Sequence, residues 1–522
     1  MDFKNTVLGI ELGSTKIKGV LLDENNNTIA SGGYDWENRF ENGIWTYSLE
    51  DIHNGIQGCF KDLANDVEAK FGEPLTTTGA IGISGMMHGY FPLNEKGELM
   101  VPFRTWRNRI TGPASEELTE KLNFFMPQRW GTAHVYQAVL NGESNVNDIK
   151  HLSTLAGYIT YRLTGEHALG MNEASGMFPI DSDTLDYDGA RADILDEMLA
   201  EKGVTWKIRD VLPKALPAGA CAGYLTEEGA RFLDPSGKLQ PGIPVAPPEG
   251  DAGTGMVATN AVRVGTGNVS AGTSSFIMIV TDKKLALHKE LNMITTPDGT
   301  PVAMVHSANC TSDINAWVDL FAQVDKAVGG DGNREKFYPV LFAKALEGKP
   351  NGGGLMSYNY FAGEAVTDTN EGRPMLIRTP DAEFTIENLM RTHLMSAVAV
   401  LGLGIEILNE EGVEITSLTG HGGYFKQKSA GQKVMSAAVK APVSVMKNAA
   451  VGGAYGMALL AAYMLRKGEG QSLADWLDQC VFKDAEVSTE TASPEEIEGF
   501  AEFLTKYKAA LEAEKAAIKY FS

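Results

Sequence analysis

The residues of this chain most able to do chemistry lie in five glycine-bearing stretches. The first is GIELGSTKIKGVLLD (9–23). A tight Gly13-Ser14-Thr15 turn between two strands turns backbone N–H groups toward an anion, and glycine leaves no Cβ in the way. Glu11, on the strand leading in, is the kind of residue that holds Mg²⁺ through water. The same residues also suit an ordinary polar hairpin. The second stretch carries Gly272, Thr273 and Ser274 after Asn268 and Ser270. It offers the same choice between a phosphate cradle and a plain hairpin. Two such turns, each opening one half of the chain, are a less accidental pattern than either alone.

The third stretch is SLTGHGGYFKQ (417–427), where a buried strand runs into Gly420, Gly422 and Gly423 at the start of an expected helix. A flat base or a phosphate can lie against such backbone, and so can nothing more than a strand-to-helix turn. The fourth is PPEGDAGTGM (247–256), which sets Asp251 in a glycine-rich bend. One carboxylate that accepts a hydroxyl proton is what phosphoryl transfer to an alcohol requires, although Asp in a bend is commonly a turn residue. The fifth pairs SGMMHG (84–89) with TWRNR (105–109). Met87 and His88 end a strand, Trp106 can stack on a sugar face, and Arg107, Asn108 and Arg109 are fork-like hydrogen-bonders. A lone His at a strand end also serves as a structural residue. No zinc-type spacing and no Walker A sequence occurs.

These residues need a large frame, and the composition supplies one. A chain of 522 residues is too long for one core, so two domains of roughly 200–250 residues are expected. Hydrophobic residues make up 43% and charged residues 21%, an ordinary globular balance. The 67 acidic against 45 basic residues give a net charge of −22, which argues against nucleic acid and an anionic membrane as partners. Four scattered cysteines, Cys59, Cys221, Cys310 and Cys480, read as those of a reduced, cytoplasmic protein in which buried cysteines serve as packing residues. The start carries no signal-peptide pattern, and the Gly/Ala-rich apolar segment 449–465 reads as a buried, closely packed helix.

The elements that must position the five stretches follow from periodicity. Strands are expected at 6–12 and 17–23, with a third after Asn25-Asn26-Asn27, then a helix from Ser48 to Phe71 with Ser48 and Asp51 at capping-box spacing. Its apolar stripe is Ile52, Ile56, Cys59, Leu63 and Val67. A strand at 79–84 completes the opening of a ribonuclease-H-like half. The Pro/Gly-rich 241–250 segment reads as the join, and 262–280 repeats the strand, glycine turn, strand order. A long helix over 385–408, a strand at 415–419 and a closing helix from Ser493 follow. Pro494 and Glu496 fit that helix's start, and Ile497, Phe500, Leu504, Tyr507 and Leu511 its buried face. The expected domains are residues 1–255 and 256–522.

Together the stretches resemble the FGGY carbohydrate kinases, and among them the xylulokinase-like branch. SGMMHG is similar to that branch's Gly-Gln-Met-His-Gly stretch. LTGEHALGMNEASGMFPID (163–181) is similar to the segment ending in Ala-Ser-Gly and a short acidic strand. AGTSS (271–275) and YFAGE (360–364) match the second phosphate motif and the tyrosine–leucine–serine–glycine–glutamate stretch. The departures are Glu11 for Asp, Met86 for Gln, Asn108 for an acidic residue, NCTSDINAW (309–317) for a glycine pair before a tryptophan, and no glutamate in AAVGGAYG (449–456).

The resemblance implies an α/β fold of two ribonuclease-H-like domains, as in actin-like ATPases, around a cleft. It implies a sugar site at Met87, His88, Trp106, Arg107 and Asp251, with Asp251 as the catalytic base. ATP with Mg²⁺ would bind at Gly13, Ser14, Thr15, Gly272, Thr273, Ser274, Gly422 and Gly423, with Glu11 on the metal side. The implied substrate is a ketopentose such as D-xylulose, phosphorylated at its terminal hydroxyl. Another ketose or a polyol, a catalytically weak sugar-sensing pseudokinase, and a chaperone-like or filament-forming ATPase of the same fold remain as alternatives. A homodimer is the commonest assembly for such a chain.

Overall fold

The computed structural model describes residues 1–427, 429–446 and 452–521. The chain forms two compact units. Unit one comprises Met1–Val262, Met293–Val302 and Ala449–Asp484, and unit two comprises Arg263–Asn292, Ala303–Asn448 and Ala485–Ser522. Both units are thus discontinuous in sequence, whereas the sequence reading divides the chain once, after residue 255.

Unit one is built on the strands Val7–Leu12, Lys16–Leu22 and Thr28–Asp35, an antiparallel meander. Val7–Leu12 pairs in parallel with Ala80–Gly85 on its other side, and Ala80–Gly85 pairs in parallel with Pro244–Val245. The helix Leu49–Phe71 covers one face. The Ser48 side chain accepts the Asp51 N–H at its start, and Gly72 ends it at φ 72°. The expected stripe of Ile52, Ile56, Cys59, Leu63 and Val67 is fully buried.

The helix Gly453–Arg466 covers the other face, packing on Val7–Leu12 and Ala80–Gly85. It approaches so closely that a Cβ on Gly9 would stand 2.2 Å from the Ala454 carbonyl oxygen. One on Gly456 would stand 2.0 Å from the Thr254 carbonyl oxygen. From Gly453 onward this is the buried, closely packed helix expected from its Gly/Ala content. Residues 449–451 of that segment lie outside the described residues.

Unit two repeats the plan. Thr266–Ala271 pairs antiparallel with Ser275–Val280 and parallel with Ser417–His421, which in turn pairs parallel with Val443–Met446. Its long helix Ile386–Glu410, capped by the Thr385 side chain, is long and apolar enough to cross a membrane, yet most of it is buried inside the unit as a core helix.

Two expectations are corrected. The closing helix is two helices, Pro494–Ala509 and Leu511–Tyr520, because Ala510 leaves helical geometry at φ −89°, ψ 3°. The Ser493–Glu496 capping box is present, but Phe503 is buried where Ile497 and Leu511 were expected. The Gly-rich bend after Ser417–His421 enters a short 3₁₀ turn, Gly423–Phe425, and the helix begins only at Ala430.

Candidate active site

In unit one the short strand Glu249–Gly250 pairs in parallel with Ser84 and Gly85, so the chain leaves the sheet at Met86 and at Asp251 side by side. Asp251 is the first residue of the helix Asp251–Ala258, where the helix dipole favours a carboxylate. Its Oδ1 accepts the N–H of Ala252 at 3.0 Å and the N–H of Met87 at 3.3 Å. That leaves Oδ2 as the oxygen available to a hydroxyl. Asp251 is open to solvent but densely surrounded. Desolvation pushes its pKa up, and the Met87 and Ala252 N–H groups and the Arg129 charge pull only part of the way back.

Glu11 stands near the end of Val7–Leu12, half-buried. Its carboxyl is raised first by burial and then by the Asp251 charge. Lys18 and the N–H groups of Ala454 and Gly453, at the start of the helix Gly453–Arg466, oppose the rise. A carboxyl whose ionisation is disfavoured by a neighbouring carboxylate forms a site where a divalent cation brings relief. No group of three or more His, Cys, Asp or Glu placed to hold a metal ion occurs among the described residues. A cation here would therefore take most of its ligands from water and phosphate, which is the habit of Mg²⁺.

Asp251 is braced from behind by Asn172, Glu173 and Glu249, which lie in two of the motif stretches but were given no role there. The Asn172 Oδ1 accepts the Gly253 N–H at 2.9 Å, and its Nδ2 donates to the Thr295 carbonyl at 2.6 Å. The Glu249 Oε2 accepts the Glu173 N–H at 3.0 Å. Each helix start, Met171–Ser175 and Asp251–Ala258, is thus capped by a side chain from the other's segment. Burial pushes the Glu173 carboxyl up to about 8, so it holds its proton at neutral pH, and burial raises the Glu249 carboxyl well above the usual carboxylate range. Arg129, from MPQRWG, is the other residue missed. Burial and neighbouring Arg109 lower its pKa to about 10, and Asp251 is its electrostatic partner.

His88 takes a left-handed backbone, φ 73°, uncommon for a non-glycine residue. Its Nδ1 lies 3.0 Å from the Gly176 carbonyl oxygen, and a carbonyl only accepts, so Nδ1 carries the proton and Nε2 is the acceptor. Burial and Arg129 hold the ring neutral. Met87 reaches Asp251 through its N–H, and His88 is the next residue along the chain. Trp106 and Arg107 are exposed, and the Arg107 guanidinium lies 3.5 Å over the Trp45 ring rather than on Asp251.

The opening turn is anchored by two aromatic residues. Trp36 Nε1 donates to the Gly13 carbonyl at 2.7 Å, and Trp36 N to that of Thr15 at 3.2 Å. The Tyr47 hydroxyl donates to the Ser14 carbonyl at 2.6 Å.

In unit two, the Gly272 N–H closes the Gly272–Ser274 turn on the Ser274 carbonyl at 2.9 Å. The Gly272 carbonyl accepts the Thr311 hydroxyl at 2.7 Å, and the Thr273 carbonyl accepts the Cys310 N–H at 2.9 Å. Gly422, at φ 101°, lies against Ala271, where a Cβ would be 2.4 Å from the carbonyl oxygen. A Cβ on Gly423 would meet nothing within 4 Å, so open space faces this residue. Asn309 and Glu364, from two of the motif stretches, lock together. Glu364 accepts the Ser307 hydroxyl at 2.8 Å and the Ala308 N–H at 3.0 Å, and Asn309 Oδ1 accepts the N–H groups of Phe361 and Ala362.

Residues 6–258 match the N-terminal domain of the FGGY family of carbohydrate kinases, and residues 267–465 match its C-terminal domain. A protein of Haemophilus influenzae named xylulose kinase is 22% identical over 80% of this chain and 82% of its own length. A protein of Thermococcus kodakarensis named glycerol kinase is 23% identical over 56% of each chain. The crystal structure of gluconate kinase from Lactobacillus acidophilus superposes with a TM-score of 0.79 at 18% identity, covering 99% of both chains. The two-unit α/β fold is that of these sugar kinases, and with both family domains matched in order this chain belongs to the FGGY family of carbohydrate kinases, phosphotransferases acting on sugar hydroxyl groups.

Proposed function

We propose that the chain transfers the γ-phosphoryl group of ATP to the terminal hydroxyl of a small sugar, a ketopentose such as D-xylulose, with Asp251 as base. The observation that carries this reading is the seating of Asp251. One oxygen is fixed by backbone N–H groups of the Met87 segment and of its own helix, and the pKa is raised toward the working range of a general base. In the reaction Asp251 takes the hydroxyl proton as the sugar oxygen bonds to phosphorus and the bond to ADP breaks. In this reading His88 accepts a sugar hydroxyl through Nε2, and Met87, Trp106 and Arg107 supply the remaining sugar contacts.

Gly272, Thr273, Ser274, Gly422 and Gly423 would hold the nucleotide, and Gly13, Ser14 and Thr15 the transferred group. Glu11 would hold Mg²⁺ through water. When bound, the cation neutralises phosphate charge. The fit rests on the Glu11–Asp251 repulsion and on the open space at Gly423.

A second reading is favoured by one observation. Arg109 and Arg129 are close enough to lower the pKa of Arg129, a pairing of cations that suits a sugar acid. ATP turnover measured with D-xylulose, D-ribulose, glycerol, D-gluconate and no sugar decides between them. Stimulation by a ketopentose supports the first reading and stimulation by gluconate the second. Turnover indifferent to every sugar sinks both.

A further inference from the structure

Three successive carbonyl groups of the opening turn, those of Gly13, Ser14 and Thr15, all accept hydrogen bonds from just two residues, Trp36 and Tyr47. The two rings stack on each other, with centroids 4.1 Å apart and planes 25° off parallel. Both are fixed from outside the turn. Trp36 follows directly on the strand Thr28–Asp35, and Tyr47 directly precedes Ser48, the cap of the helix Leu49–Phe71. Tyr47 is buried, and its hydroxyl also lies 3.7 Å from the Met86 sulfur.

A trans peptide unit points its C=O and its N–H in opposite directions. Holding the Gly13 and Ser14 carbonyls on the aromatic side therefore aims the N–H groups of Ser14 and Thr15 away from it. Neither N–H meets an acceptor among the described residues. The turn is closed by the Gly13 N–H on the Lys16 carbonyl at 3.2 Å, so it lacks the slack to flip one peptide alone. The carbonyls of the Gly272–Ser274 turn are tied back in the same sense, but by Thr311 and Cys310 rather than by aromatic residues. Burial keeps the Tyr47 phenol protonated, so it stays a donor.

We infer that Trp36 and Tyr47 are positioning residues, a stacked aromatic pair that holds three carbonyls of the opening turn so that the Ser14 and Thr15 N–H groups are preset for the phosphoryl group in flight. This rests on the phosphate-binding role proposed for that turn. Donors preset for charge that develops during reaction raise kcat more than they tighten ground-state binding.

The test uses the full chain and the variants Tyr47→Phe and Trp36→Phe, which keep an aromatic ring and remove one donor each. Losing one donor should lower kcat about three- to tenfold, with the sugar KM unchanged. Hydrogen exchange of the 9–18 segment should quicken in Tyr47→Phe. In the parent, Mg·ATP should slow that exchange, and Tyr47→Phe should weaken the slowing. A kcat within twofold of the parent in both variants overturns the inference, as does a fall in melting temperature with kcat intact, which would mean packing alone. If the parent phosphorylates no sugar, the kinase reading fails by itself. The exchange data then decide for the pair, because absence of Mg·ATP protection in the parent removes the phosphate role of the turn and the inference with it.

Discussion

Asn108 is bonded to Trp45 from both ends of its amide. Its Oδ1 accepts the Trp45 N–H at 2.9 Å, and its Nδ2 donates to the Trp45 carbonyl at 2.8 Å and to the Thr105 carbonyl at 2.9 Å. The family pattern carries an acidic residue here. A carboxylate has no donor for two carbonyls, so the amide is tied to the way this chain holds the hairpin Arg39–Glu41 and Ile44–Thr46. Asn108→Asp should destabilise the protein by about 1–3 kcal/mol in denaturant unfolding, since the side chain is buried. Unchanged stability would mean that water replaces both donors.

Asp251→Asn keeps the size and the acceptor for the Met87 and Ala252 N–H groups but cannot take a proton. Sugar-dependent kcat should fall by about 10²–10⁴, while calorimetry still detects sugar binding. Turnover near the parental rate would make Asp251 only a helix-start residue and move the base elsewhere.

Glu11→Gln retains an acceptor for the Gly453 and Ala454 N–H groups, so the fold should hold. The Mg²⁺ concentration for half-maximal rate should rise on the order of tenfold. Glu11→Asp should stay active, because it keeps the carboxylate and water can fill the shorter reach. Full activity of Glu11→Gln at low Mg²⁺ would assign the metal to other groups.

Glu173 gives a pH signature. Its folded pKa, about 8, lies above the ordinary value of 4.5, so the folded state holds a proton that the unfolded chain releases. Stability from this group is therefore fully present below pH 4.5 and declines as pH rises toward about 8. In Glu173→Gln the side chain is neutral at every pH. Its melting temperature should gain on the parent's between those limits, as read by scanning calorimetry across buffers. Parallel profiles would show that Glu173 ionises normally.

Much of the frame was legible because it is written locally. Ser48 and Ser493 announce helix starts through their own next three residues, and the apolar stripe of Leu49–Phe71 repeats every turn. The two glycine turns were legible as turns. What supports them was not, because Trp36 and Tyr47 meet Gly13 and Ser14 only after the strand and hairpin between them have folded. Asn172 reaches Gly253 across 81 positions, and Met87 reaches Asp251 across 164. Arg129 looked like any basic residue in a loop, and only its neighbours, Asp251 and Arg109, mark it. The break at Ala510 was hidden by good helix formers on both sides, where tertiary packing overrides propensity.

The helix Gly453–Arg466 also sets the order in which the molecule can be made. The strands it packs on are synthesised by Gly85, and Thr254, which it presses on, is in place long before Gly453 leaves the ribosome. At roughly 5–20 residues per second, the nascent unit waits tens of seconds with the Gly9 face of its sheet uncovered. A chain cut after Val262 would wait indefinitely. Truncation at what looks like a natural border should therefore yield aggregates, and supplying residues 449–484 as a separate peptide should rescue solubility.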